Sequence, residues 1–187
     1  MKPKKCRVCK AEFAPQRMGQ KACSPICALA LAKSERAKKE RKQALLARKE
    51  TRQRLEAMKG LPQLIREAQT AFNAYVRARD EGKPCICCGQ YGNGQTRGGE
   101  WDAGHYRSRG AAPHLRFDER NVHAQLKHCN RYKAGNVVGY RAGLIARIGL
   151  EAVEALEADN APRKWSREEL IAIKREYVAK RKGLMNA

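Results

Sequence analysis

Eight cysteines and one short histidine stretch carry most of the chemistry that this 187-residue sequence offers. Cys6-x-x-Cys9 and Cys23-x-x-x-Cys27 form two close pairs, a spacing that can close a tetrahedral four-sulfur site. Thiolates prefer zinc to hard cations, and so short a segment would depend on the metal for its fold. A second group, Cys85, Cys87, Cys88 and Cys129, lies mid-chain. In a chain with no sign of secretion, such clusters favour metal over disulfides. Between the mid-chain cysteines runs Asp102-Ala103-Gly104-His105-Tyr106, followed by Asn121-Val122-His123 and Cys129-Asn130. A neutral imidazole near pH 7 can take a proton from water, which makes His105 a candidate general base for hydrolysis. A lone histidine after a glycine is more often a hydrogen-bonded loop residue. The surrounding Asp-x-Gly-His pattern and the flanking cysteines favour the catalytic reading.

The order of these stretches resembles the HNH endonucleases, whose ββα-metal core is a hairpin, a loop and a helix around one metal. The carrying residues are Pro84-Cys85-Ile86-Cys87-Cys88-Gly89, Asp102 to Tyr106, and Asn121 to Asn130. The order of parts is also similar to the NinG (Rap) recombination endonuclease family of lambdoid phages. That likeness rests further on Leu115-Arg116-Phe117-Asp118-Glu119-Arg120-Asn121 and Lys133-Ala134-Gly135-Asn136. It implies structure-specific cleavage of branched DNA, including Holliday junctions and D-loops. It also implies roles: His105 as base, Asp102 and the side-chain carbonyl of Asn130 as ligands to Mg²⁺ or Mn²⁺, and Asn121 holding the loop that carries His105. His123 is open between a second catalytic or metal-binding residue and a helix-face histidine near phosphate. Asp102 has a rival role as a turn cap. Arg107, Arg109 and Arg116 are candidate phosphate clamps, against the reading of a solvated basic face.

One departure stands out. The second zinc pair of the resemblance should read Cys-x-x-Cys, but Leu126 takes its first position and only Cys129 remains. Cys85, Cys88 and Cys129 leave a fourth position open to His128, Cys87 or water. Cys87 otherwise reads as a small apolar filler. His114 and His128 otherwise read as structural.

These residues must be positioned by a mostly helical α+β fold. Residues 1–27 read as a zinc-finger module. Residues 28–60 read as a basic helical arm, with no Gly or Pro before Gly60-Leu61-Pro62 stops it and apolar residues too sparse for a core face. Leu64, Ala68, Phe72, Ala74, Tyr75 and Val76 predict an amphipathic helix over 63–80. Residues 61–150 are expected to hold this helix and the small HNH-type core of short strands and loops. Apolar periodicity predicts helices over 137–148 and 150–158, and Ser166-Arg167-Glu168-Glu169 opens a last one with a capping box, so 151–187 reads as C-terminal helices.

Composition selects the partner. The formal charge is +21, and residues 1–60 alone hold 18 Lys/Arg against five Glu, a net of +13. Such asymmetry calls for a polyanion. No apolar run reaches the roughly 18 residues of a membrane span, and no signal-peptide stretch follows the N-terminus. The expected partner is DNA and the expected location cytoplasmic, with no membrane contact. Two opposed cuts at a junction would suit a homodimer. The competing reading is a non-catalytic zinc-containing DNA-binding protein, which the loss of a cysteine at position 126 favours.

Overall fold

The computed structural model describes residues 2–93 and 99–186. By contacts the chain divides into two units, residues 1–59 and 60–187.

In the first unit, β1 (Lys4–Lys5) and β2 (Glu12–Phe13) pair antiparallel around the Cys6–Cys9 turn. Helix α1 (Pro25–Met58) then runs for 34 residues. Ser24 caps it by accepting a hydrogen bond from the Cys27 amide, and Pro25 sits at the first helical position, where its missing N–H costs nothing. The helix therefore starts inside the cysteine module, and Cys27 lies in its first turn. No α1 residue is buried. At about 1.5 Å per residue it is a solvated rod of about 50 Å.

The second unit is built on α2 (Leu61–Arg79), whose residues Leu64, Ala68, Phe72, Tyr75 and Val76 form one buried stripe. Helix α5 (Arg167–Met185) closes over that stripe with Leu170 and Tyr177. Phe72 meets Tyr177 edge-on at 4.7 Å between centroids and Phe117 at 5.8 Å. The C-terminal helix thus completes the core begun by α2. Its capping box forms as the sequence predicts, with Ser166 and Glu169 each bonding the other's backbone amide.

Packed against α2 is a two-stranded antiparallel ribbon of β3 (Trp101–His105) and β4 (Val122–Leu126). Its register pairs Asp102 with Gln125, Gly104 with His123 and His105 with Val122. Ala103 and Val122 join the α2 core. Helices α3 (Val137–Ile148) and α4 (Leu150–Ala158) form a second core with Cys85, Ile86, Cys87 and Cys129. α3 lies close to the cysteine knuckle: a Cβ added at Gly143 would stand 1.7 Å from the Ile86 carbonyl oxygen. After β4 the chain makes one helical turn at His128–Tyr132, and Ala134, Gly135 and Asn136 all adopt left-handed backbone before α3 begins. Two of those three are non-glycine, which makes this turn strained.

Asp80 ties the pieces together from 2 % exposure. Arg79 grips it through two bonds of 2.9 and 3.0 Å, Lys83 adds one of 3.2 Å, and the Ala124 amide of β4 donates at 2.9 Å. Burial alone would raise its pKa, but the bonds from His123, Arg79 and Ala124 hold it far below the carboxylate range.

Candidate functional site

The sulfurs come first, because they fix the knuckles. Cys6, Cys9, Cys23 and Cys27 bring their sulfurs within 4.8 Å of one another, and so do Cys85, Cys87, Cys88 and Cys129. Neighbouring sulfurs stand 3.5 Å (Cys9–Cys23), 3.8 Å (Cys23–Cys27) and 3.6 Å (Cys85–Cys87) apart. Tetrahedral zinc at about 2.3 Å from each sulfur would place them about 3.8 Å apart. Both clusters fit that ion. Backbone amides, that of Cys9 foremost, lower the Cys6 thiol to about 6, whereas the Cys9 and Cys6 sulfurs push Cys23 up to about 12. Sulfurs this close cannot all shed their protons unless a cation sits among them.

The open position of the central cluster is filled by Cys87. His128 is exposed and stands outside the cluster. Leu126, where the resemblance asks for a thiol, instead donates its backbone amide to Cys85 Sγ at 3.3 Å. The adjacent pair Cys87-Cys88 was the sequence signal for this substitution.

The ribbon then presents the hydrolytic candidates. Asp102, His105 and Asn130 line one cavity of about 510 Å³, together with Asn73 and Arg77 of α2, Arg109 and Arg131. His105 sits at the end of β3 with Nε2 3.1 Å from the Arg116 carbonyl oxygen. That oxygen can only accept, so Nε2 carries the hydrogen and Nδ1 keeps its lone pair. Burial, with the charges of Arg109 and Arg116 against it, lowers the imidazole to about 4. It is neutral at pH 7.

Asn130 donates from Nδ2 to Asp102 Oδ2 at 3.0 Å, which leaves its Oδ1 free to accept. Arg131 grips the same carboxylate through Nε at 2.9 Å and Nη2 at 3.1 Å. Burial alone would raise Asp102, but these bonds hold it below its ordinary range. Asn121 is fully buried and clamps the loop after His105. It accepts from the Arg107 amide at 2.8 Å and donates to the Arg107 and Leu115 carbonyls at 3.0 and 3.1 Å.

Two candidates fall elsewhere. His123 is 4 % exposed and does not line the cavity. Its Nδ1 lies 3.1 Å from Arg79 and 3.6 Å from Asp80, and its Nε2 is 3.2 Å from the Arg120 carbonyl. It belongs to the Asp80 network: on the ribbon face it shares with Gly104 and Gln125, its ring lies beside Arg79 and Asp80. Arg107 is not a free phosphate clamp either. Its guanidinium donates to the carbonyls of Leu156, Glu157 and Asp159 and to the Asn160 side chain, capping the C-terminal end of α4. Arg116 is half-buried, and its Nη1 bonds Gln69 at 3.3 Å. Arg109 is exposed and, among the described residues, forms no hydrogen bond or ion pair. Arg77 is likewise exposed and unpaired, and sequence reasoning missed it because a basic residue on a basic helix carries no signal.

The chain matches the family model described as Bacteriophage Lambda NinG protein over residues 1–186. It belongs to the NinG family. It is 43 % identical to protein ninG of Escherichia phage 933W over 98 % of this chain and 94 % of that one. It is 44 % identical to the ninG proteins of Salmonella phage P22 and Escherichia phage lambda, over 96 % of this chain and 91 % of each. No solved structure matches. Among the described residues of this NinG-family chain, no helix is long and apolar enough to cross a membrane.

Proposed function

We propose that this NinG-family chain is an HNH-type endonuclease that hydrolyses phosphodiester bonds in branched DNA such as Holliday junctions and D-loops. The observation that carries the reading is convergence: His105 and Asp102 of β3 and Asn130, which follows twenty-five residues after His105, line one cavity together with Arg77 and Arg109, which have no hydrogen-bond or ion-pair partner among the described residues. The hairpin β3–β4, the knuckle of Cys85 to Cys88 and the turn bearing Cys129-Asn130 supply the parts of a ββα-metal core.

His105 Nδ1 takes the proton of the attacking water while the Arg116 carbonyl fixes the ring. A phosphate entering beside Arg109 and Arg116 offsets their charges and raises the imidazole, which strengthens it as a base. Asn121 keeps the 105–107 backbone in place for that transfer. Arg77 and Arg109 hold the non-bridging oxygens or a flanking phosphate. Asp102 and the Asn130 Oδ1 would hold Mg²⁺ or Mn²⁺, which when bound polarises the phosphoryl oxygen and stabilises the leaving alkoxide. Zinc in the two cysteine clusters serves folding.

The test is cleavage of a synthetic four-way junction, with linear duplex alongside. Cutting of the junction that requires Mg²⁺ or Mn²⁺ and stops with chelator is expected. Salt-sensitive binding with no cutting under any divalent ion would instead make the chain a zinc-containing DNA binder.

A further inference from the structure

The aromatic side chains are unevenly exposed. Of three Phe, two Trp and six Tyr, all but two are buried or half-buried. The exceptions are Tyr91, 67 % exposed, and Tyr132, 79 % exposed, and both line one open cleft of about 640 Å³. Apolar residues scattered singly are ordinary on a surface, but two bare rings on one cleft single it out as a binding surface. Neither hydroxyl has a hydrogen-bond partner among the described residues.

Both rings are tied to the central cysteine cluster. Tyr91 follows Cys88 by three residues and Tyr132 follows Cys129 by three, and these two cysteines line the cleft as well. The knuckle before Tyr91 is closed by backbone bonds: the Gly89 amide donates to the Cys85 carbonyl and the Cys85 amide to the Gln90 carbonyl, each at 2.9 Å. Tyr132 ends the helical turn His128–Tyr132, where the His128 ring stands 6.0 Å from its own at an angle of 35°. A tyrosine has only two side-chain torsions, so a ring on backbone tied in this way loses little freedom when it is covered.

Charge narrows the occupant. Lys127, Arg131 and Lys133 line the cleft against one acid, Glu100. Arg131 also lines the cavity of His105, and Asn130 of that cavity lies two residues before Tyr132. A ligand suited to flat rings among cations, beside a site read as cutting DNA, is a nucleobase with its phosphates. In a duplex each base face is covered by its neighbour, so an unpaired base is the one that offers a face. We propose that Tyr91 and Tyr132 form a stacking platform for an unpaired DNA base next to the strand to be cut. This rests on the DNA reading above and deepens it, because it gives the chain a means to sense unpaired nucleotides at a branch.

The test uses the zinc-loaded full chain with no added divalent ion, so that binding is read without cutting. Two branched DNAs carry 2-aminopurine, one in an unpaired stretch at the branch and the other paired within an arm. The expected result is quenching of the unpaired probe by wild type and by Tyr132→Phe, and its loss in the double variant Tyr91→Ala, Tyr132→Ala with zinc content unchanged. The preference of that double variant for the unpaired over the paired branch should fall about fivefold or more. No quenching by wild type at saturation would overturn the platform. So would wild-type quenching and preference in the double variant, an equal loss on both DNAs, or a loss that appears only together with loss of zinc. If tyrosine-dependent quenching occurs only when the unpaired stretch is made as RNA, the DNA assignment falls. The expected quenching without Mg²⁺- or Mn²⁺-dependent cutting of the same branch by wild type would sink the hydrolytic reading alone.

Discussion

At His105 the backbone selects the nitrogen that the proposed hydrolysis would use: the Arg116 carbonyl accepts from Nε2, so Nδ1 keeps its lone pair. Burial has a second effect there. The folded-state pKa lies at about 4, below the ordinary 6.5. Between these values the unfolded chain binds a proton that the folded chain refuses. Stability is therefore retained above about pH 6.5 and falls as pH drops toward 4. His105→Gln is expected to flatten part of that slope in denaturant titrations at pH 4.5, 5.5 and 7. An identical slope in the variant would show that His105 is not shielded. The arginines divide by the same logic. Arg107 spends its guanidinium on α4 carbonyls, so Arg107→Ala is expected to cost about 1–3 kcal/mol of stability. Arg109→Ala should leave stability within about 0.5 kcal/mol and weaken junction binding severalfold. Equal effects of the two substitutions on binding would refute this division. No sequence pattern separates these two arginines, because the acceptors of Arg107 lie about fifty residues further on.

The elements differ in how far they could be read from residues. The stripe from Leu64 to Val76 revealed α2, the periodicity up to Ile148 and from Leu150 bounded α3 and α4, and Ser166 to Glu169 marked the start of α5. Each of these is a local pattern with a local cause. The left-handed turn at 134–136 gave no such signal, since Ala134 has no preference for that conformation. Nor did Asp80, whose partners arrive from β4 and α3. The cysteine knuckles lie between these cases. All four sulfurs of the first cluster and three of the central one were legible from spacing, but the choice of Cys87 over His128 needed the fold. Wild-type protein is expected to bind two zinc ions, Cys87→Ser one, and His128→Ala still two, as counted by elemental analysis after dialysis. Retention of two ions by Cys87→Ser would return the fourth position to another ligand.

For the whole molecule, charge and chemistry sit in different parts of the chain. The first unit carries most of the +21 on the exposed α1 and the cysteine module, whereas the cavity lies in the second. A basic helix with no buried residue has no packing role among the described residues that would explain its length, and the proposed function gives its charges phosphates to meet. If α1 contacts DNA, replacing Lys38, Lys39, Arg41 and Lys42 by Gln should lower the slope of log affinity against log salt by up to about 3–4, with each phosphate contact worth about 0.9. An unchanged slope would make the arm a spacer. The central claim, that DNA is cut in the cavity of His105, is tested most directly by single-turnover cleavage of a four-way junction with His105→Ala at saturating protein. The expected result is a rate reduced by about 10²–10⁴ with junction affinity and zinc content unchanged. Cleavage at the wild-type rate by that variant would contradict the claim.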